Sequence, residues 1–192
     1  MSIFRILGIV SGCVYVIAYL PYVLSIIKKK TRPHPVSWVL WALIGGVTLF
    51  LYLRIGAHET VPLAVLNFIL PLAIAIVSVR YWKGGLSRFD KICLALSLAA
   101  VIIYAVTHDA TLALSFNLVG DFFAFLPTLK KAYLDPASED GLTWILIFIG
   151  NCLSLAAAFA RPSYGILIFP AYLTFFSILM CVFIFRGRLK KA

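Results

Sequence analysis

Long apolar runs, separated by short polar or basic connections, follow one another along the whole chain. Seven such runs are visible, near Ile3–Ile27, Pro35–Ile55, Val61–Trp82, Ile92–Thr107, Leu112–Tyr133, Leu142–Ala160 and Tyr164–Phe185. A helix needs about 20 mostly apolar residues to cross the hydrocarbon core of a bilayer. The pattern therefore predicts an all-α integral membrane protein with seven transmembrane helices.

The composition agrees with this prediction. Hydrophobic residues make up 63% of the chain, charged residues 12%, and the mean hydropathy is +1.04. A soluble domain of 192 residues leaves most side chains near water and could not hide that much apolar surface. The first run is too long for the core of a secretory signal, and no small-residue cleavage site follows it. We therefore expect it to be retained as the first span.

Basic residues are distributed unevenly between alternate connections. Fourteen of the 17 Lys and Arg residues fall on one predicted side: Lys28, Lys29, Lys30, Arg32, Arg80, Lys83, Arg88, Lys91, Lys130, Lys131, Arg186, Arg188, Lys190 and Lys191. The other side holds only Arg5, Arg54 and Arg161. This bias predicts a plasma-membrane protein (the inner membrane of a bacterial cell) with its N-terminus outside and its C-terminus cytoplasmic. It also explains the net charge of +10 through contact with anionic lipid, not nucleic acid.

An internal repeat is visible at an offset of 106 residues. The pair Leu20-Pro21 corresponds to Leu126-Pro127, and Trp38 corresponds to Trp144. Each proline is followed by a basic cluster, a polar turn and then the tryptophan early in the next helix. We expect two parallel three-helix repeats, over residues 1–84 and 110–192 with its basic tail, joined by a linker helix within 85–109.

The chain resembles the SWEET and PQ-loop superfamily of seven-helix membrane transporters, as a diverged bacterial-type member. The resemblance covers nearly the whole chain and is carried by LPYVLSIIKKKTRPHPVSWVLW and FLPTLKKAYLDPASEDGLTWILIFIGN. It implies a 3+1+3 arrangement of helices around a central cavity. The glutamine that usually follows each signature proline is replaced by Tyr22 and Thr128. The paired asparagines of the sugar carriers are represented by Asn67 alone, with Pro170 near the second position.

Asp121 is the most informative candidate for solute binding. It is the one acidic residue of seven that lies well inside a predicted span, where a carboxylate costs about 2.5–3.5 kcal/mol to insert. Asn117 lies one turn earlier on the same face. Together they are candidates for a polar floor under a solute, or Asp121 for a proton carrier. The alternative is a hydrogen bond between helices from a protonated Asp121. The offset aligns Asp121 with Tyr15, so we expect no symmetric pair of carboxylates.

The resemblance implies that tryptophans on the second and sixth helices line the cavity. Trp38, Trp41 and Trp144 are the matching residues, and their flat rings suit planar solutes. Trp38 and Trp144 lie early in their spans, so an interfacial aromatic belt is the alternative. Trp41 is one turn deeper and is the better candidate for the cavity.

Two further amides are deep enough in their spans to need partners. Asn151 lies two turns beyond Trp144, and Asn67 lies in the third span. Either can bind a solute or join neighbouring helices. The counterpart of Asn151 is Gly45, followed by Gly46, which permits close approach of another helix.

Pro21 and Pro127 are candidates for gating. A proline removes one backbone hydrogen bond and lets a helix bend. A matched pair near the inner face suits an inner gate, and the alternative is a static kink.

No pattern of chemistry-bearing residues indicates an enzyme, a cofactor or a metal. Cys13, Cys93, Cys152 and Cys181 all lie inside apolar runs, and His34, His58 and His108 lie in connections or at span ends. No metal spacing, nucleophile motif or phosphate-binding glycine loop is visible.

The sequence thus predicts a transporter that moves a small polar or planar solute by alternating access, with possible proton linkage through Asp121. Candidate solutes are sugars, amino acids, nucleosides and vitamins; the single acid and the aromatic rings favour a cationic or neutral planar solute over an anion. The alternative is a non-transporting receptor on the same scaffold, as in KDEL receptors. The expected partners are the solute and the lipid bilayer. Whether the chain also forms a homo-oligomer is left open by the sequence.

Overall fold

The computed structural model describes residues 2–28, 35–78, 87–136 and 139–189. Its regular elements in these ranges are seven α-helices: α1 (Ile3–Ile27), α2 (Pro35–Ile55), α3 (Val61–Ser78), α4 (Arg88–Thr107), α5 (Ala110–Leu134), α6 (Gly141–Ala158) and α7 (Tyr164–Leu189). All seven are long and apolar enough to cross a membrane. The predicted number and type of elements are therefore confirmed for the described part of the chain.

The bounds differ from the predicted ones where polar caps decide them. α4 begins one turn early, at Arg88, because Ser87 and Asp90 form a reciprocal capping box. Asp109 accepts hydrogen bonds from the backbone of the first turn of α5, which begins at Ala110. The predicted end of the third helix at Trp82 lies outside the described residues. So do seven of the fourteen basic residues and one histidine: Lys29, Lys30, Arg32, His34, Arg80, Lys83, Lys190 and Lys191.

Large apolar side chains are exposed on every helix of the bundle. Examples are Ile17, Leu53, Ile76, Val106, Val119, Ile149 and Phe175, and the exposed fraction of Val106 reaches 75%. Soluble monomers rarely expose apolar surface on this scale. The outer surface of the bundle is thus suited to hydrocarbon instead of water.

The helices pack in two matching sets of three. α3 contacts both α1 and α2, and α7 contacts both α5 and α6. The two sets meet mainly through α1 against α6 and α2 against α5, while α4 packs on α5 and α2. Each contact in the first set therefore has a counterpart in the second.

Two hydrogen bonds between the sets are equivalent under the offset seen in the sequence. The Ser11 hydroxyl donates to the carbonyl of Gly150, at 2.8 Å. The Asn117 amide donates to the carbonyl of Ile44, at 3.1 Å. Positions 11 and 117 differ by 106, and so do positions 44 and 150. The same contact is thus made twice, once by each set on the other.

At one end of the bundle, connections and helix ends from distant parts of the chain pack together. This short-loop end comprises the connections 56–60, 108–109 and 159–163 and the adjoining helix ends. The Tyr52 hydroxyl donates to the Ile166 carbonyl at 2.7 Å, within the largest buried apolar cluster. Arg161 lies 3.7 Å from Glu59, whose carbonyl group packs directly against the backbone of Gly8. These contacts join α1, the α2–α3 connection and the α6–α7 connection.

Candidate functional site

Each set of three helices contains a polar pair between its first and third helix. In the first set, the Tyr15 hydroxyl of α1 donates to Oδ1 of Asn67 in α3, at 3.2 Å. In the second set, the Tyr172 hydroxyl of α7 donates to Oδ2 of Asp121 in α5, at 2.7 Å. Tyr15 and Asp121 are the residues that the offset aligns. At equivalent positions, the first set therefore has a tyrosine bonded to an amide, and the second set has a carboxylate bonded to a tyrosine.

The two polar pairs share one region of the bundle. Tyr15 and Tyr19 both lie within electrostatic range of the Asp121 carboxylate. Asp121 and Tyr19 are both half-buried within the bundle. We call Tyr15, Tyr19, Asn67, Asp121 and Tyr172 the central cluster.

Aromatic rings connect the central cluster to Trp38 and Trp41 in the first set. The Tyr15 and Tyr19 rings lie 5.7 Å apart, and the Tyr19 ring lies 6.3 Å from Trp38 in an edge-to-face arrangement. Trp38 also packs against Tyr22 at 5.2 Å and against Trp41 at 5.2 Å. Trp38 is buried and Trp41 is half-buried. Both tryptophans thus belong to the same series of aromatic contacts as Tyr15 and Tyr19 of the central cluster.

A second series of rings runs from Trp144 to Asp121. Trp144 packs against Phe125 at 5.8 Å, and Phe125 packs against Phe176 at 5.3 Å. Phe176 in turn lies 4.7 Å from Tyr172, whose hydroxyl holds Asp121. The Phe125–Trp144 contact is the counterpart of Tyr19–Trp38, because both pairs of positions differ by 106. Edge-to-face angles of 74° and 72° make the two contacts alike in geometry as well.

The predicted amides Asn117 and Asn151 bond neighbouring helices. Asn117 is fully buried and donates to Thr48 Oγ1 of α2 at 2.8 Å, besides its bond to Ile44. Asn151 is buried and donates to the Leu173 carbonyl and to Ser177 Oγ of α7. These contacts fit the helix-packing alternative for both residues, and their role in binding a solute stays a prediction.

Gly45 takes the place of Asn151 in the first set and allows the close approach expected there. A Cβ on Gly45 would overlap the backbone carbonyl of Asn67 in α3. Asn67 therefore sits where α2 and α3 are closest, and its amide also donates to the Leu63 carbonyl at 3.1 Å. The glycine fixes the depth at which Asn67 meets Tyr15.

The opposite end of the bundle, which we call the basic end, carries the tryptophans and the α5–α6 connection. Trp144 donates through Nε1 to Glu139 at 3.2 Å. Pro21 lies inside α1, which continues beyond it to Ile27. Position 127 likewise lies within α5, which ends at Leu134. Gating by Pro21 and Pro127 stays a prediction.

The sequence missed four aromatic members of the site. Tyr172, Tyr19, Phe125 and Phe176 were not singled out, although they join the predicted tryptophans to Asp121. The offset was the available signal for two of them, because it aligns Tyr19 with Phe125. Asn67 shifted by 106 falls one residue from Tyr172.

Within the described ranges, no three His, Cys, Asp or Glu side chains come together as a candidate metal site. Comparison of the chain with protein-family models, with curated proteins and with solved structures found no match. The residues and their geometry therefore carry the functional argument.

Proposed function

We propose that the chain is a multi-pass membrane transporter that moves a small polar or planar solute by alternating access. The observation that carries the proposal is the Asp121–Tyr172 hydrogen bond, which shows a carboxylate inside an apolar helix and directed at a polar group of another helix. A carboxylate is expensive at that depth, and such residues are retained where they line a solute or proton path.

Membrane insertion is supported by the surface of the bundle. Exposed apolar side chains occur on all seven helices, which suits contact with lipid tails. The charge bias of the sequence supports an orientation in a plasma membrane with the N-terminus outside. The short-loop end then faces outward and the basic end faces the cytoplasm.

A 3+1+3 arrangement of SWEET and PQ-loop type is supported by the paired contacts. The Ser11–Gly150 and Asn117–Ile44 bonds are equivalent, and so are the Tyr19–Trp38 and Phe125–Trp144 contacts. α4 packs outside both sets, against α5 and α2, as a linker helix would. In many transporters, two related units that meet through matched interfaces rock against each other as rigid bodies.

The proposed movement is rocking of the two units about the central cluster. Buried apolar contacts and the Glu59–Arg161 pair join the connections of the short-loop end. Opening that end requires the α2–α3 and α6–α7 connections to separate. The matched prolines of α1 and α5 are suited to the complementary closure at the basic end.

Flux measurements distinguish a transporter from a receptor on the same scaffold. Purified protein would first be screened by thermal shift against sugars, amino acids, nucleosides and vitamins. A stabilising solute, in radiolabelled form, is expected to enter proteoliposomes only when they contain the protein. Stabilisation by a solute without any protein-dependent uptake would contradict transport and favour the receptor.

A further inference from the structure

We infer that the central cluster binds an organic cation, whose positive charge sits between the Asp121 carboxylate and the faces of the surrounding tyrosine rings. The inference deepens the proposed function, because it rests on the same residues and names the class of solute.

In the part of the chain that the structure describes, no cationic side chain is paired with Asp121. Its hydrogen-bond donor is the neutral phenol of Tyr172, which shares the charge without cancelling it. Among the described cations, each Lys or Arg lies in a connection or within about four residues of a helix end, far along the bundle from position 121. A carboxylate so placed requires a proton or a positively charged solute as its partner.

The walls beside Asp121 are aromatic. Tyr15 and Tyr19 lie on the first-set side within range of its charge, and Tyr172 and Phe176 lie on the second-set side. The faces of such rings attract cations through their quadrupole, most strongly where water is excluded. An anion would meet repulsion from both the carboxylate and the ring faces.

A neutral sugar would need several free hydrogen-bonding side chains at this level. The Tyr15 and Tyr172 hydroxyls already donate hydrogen bonds, to Asn67 and Asp121 respectively. The buried amides of Asn117 and Asn151 donate to neighbouring helices. The amide oxygens of Asn117 and Asn151 have no hydrogen-bond partner among the described residues, but both are buried and are acceptors only, so they would not repel a cation. In the central cluster itself, the Asp121 carboxylate and the tyrosine rings favour a positive charge over a neutral sugar.

Matched pairs of cationic and neutral compounds test the inference. Choline has the neutral isostere 3,3-dimethylbutan-1-ol, and the planar cation 1-methylnicotinamide has neutral nicotinamide as its partner. Dissociation constants would be measured by tryptophan fluorescence on purified protein in a neutral detergent. We expect at least one cation to bind about tenfold or more tightly than its neutral partner. Asp121→Asn is expected to bring that ratio close to unity.

Two further variants keep the test decisive if Asp121→Asn folds poorly. Tyr19→Leu is expected to weaken binding of the cation several-fold more than binding of its neutral partner, because the ring quadrupole attracts only the positive charge. Tyr164→Phe is the matched control, since Tyr164 is exposed at the short-loop end and its loss should leave the ratio unaltered.

The outcomes separate this inference from the proposed function. If neither cation binds more tightly than its neutral partner, the cation class is overturned, even if proteoliposomes still take up another solute. Cation binding that depends on Asp121 without any uptake supports the inference and contradicts transport. Tight binding of a neutral sugar, unaffected by Asp121→Asn, also overturns the inference.

Discussion

Replacing Gly45 with alanine is expected to destabilise the folded protein by about 1–3 kcal/mol, although the change adds a single methyl group. The added Cβ would overlap the carbonyl group of Asn67 and crowd the Cα of Phe68, both on the backbone of α3. A backbone cannot rotate away as a side chain can, so α2 and α3 would have to separate. The separation would also disturb the Tyr15–Asn67 pair.

Gly46→Ala is the matched control at the neighbouring position. Its Cβ would meet only the Phe68 ring, at 3.3 Å, and the ring can shift slightly. Alanine is preferred over glycine in a helix by about 0.5–1 kcal/mol, which offsets that adjustment. Melting of the two variants in detergent, followed by size-exclusion chromatography, should show a large loss for Gly45→Ala and almost none for Gly46→Ala. Equal melting of both would contradict the close α2–α3 approach.

Asp121→Asn is expected to abolish the response of transport to a pH gradient. If a proton and an organic cation compete for one carboxylate, the protein exchanges one for the other across the membrane. A vesicle interior more acidic than the bath should then drive cation uptake, because protons leaving on the carrier return it ready to bind the cation outside. Asparagine keeps nearly the same shape, but its neutral amide neither takes up a proton nor pairs with a cation.

The measurement is uptake of the better cation into proteoliposomes with the gradient in either direction or absent. For the unaltered protein, we expect an acidic interior to raise uptake about tenfold over the reversed gradient. For Asp121→Asn, the two directions should give the same residual rate. Tyr164→Phe provides the control that should retain the gradient response. Uptake unchanged both by the gradient and by Asp121→Asn would exclude proton linkage through this residue.

The number and bounds of the helices could be predicted because apolar length is a strong signal. The bounds of α1 and α2 agree with the apolar runs, whereas the start of α4 depends on the Ser87 cap. The direction in which each side chain points was harder to predict. In lipid, the outer face is as apolar as the core, so exposed Val106 and buried Leu114 look alike in sequence.

The same ambiguity explains which parts of the site could be predicted. Asp121 stood out because a carboxylate is rare within an apolar run, and the offset pointed to Trp38 and Trp144. The partners of Asn117 depend on which atoms of a neighbouring helix lie within hydrogen-bond distance. The periodicity of the sequence does not encode those distances. Tyr172 looked like one of many aromatic residues in α7 until its hydroxyl was seen at 2.7 Å from Asp121.

The central claim is that one internal cavity opens alternately to the two sides of a membrane. A single cysteine at position 19, in a variant whose four native cysteines are replaced by serine, would report on this with a membrane-impermeant maleimide. In right-side-out and inverted vesicles, we expect labelling of Tyr19→Cys from both faces, slowed by solute at a concentration that saturates this variant. A cysteine at the fully buried Ala113 should remain unlabelled from either face. Labelling of position 19 from one face only, with and without solute, would contradict alternating access.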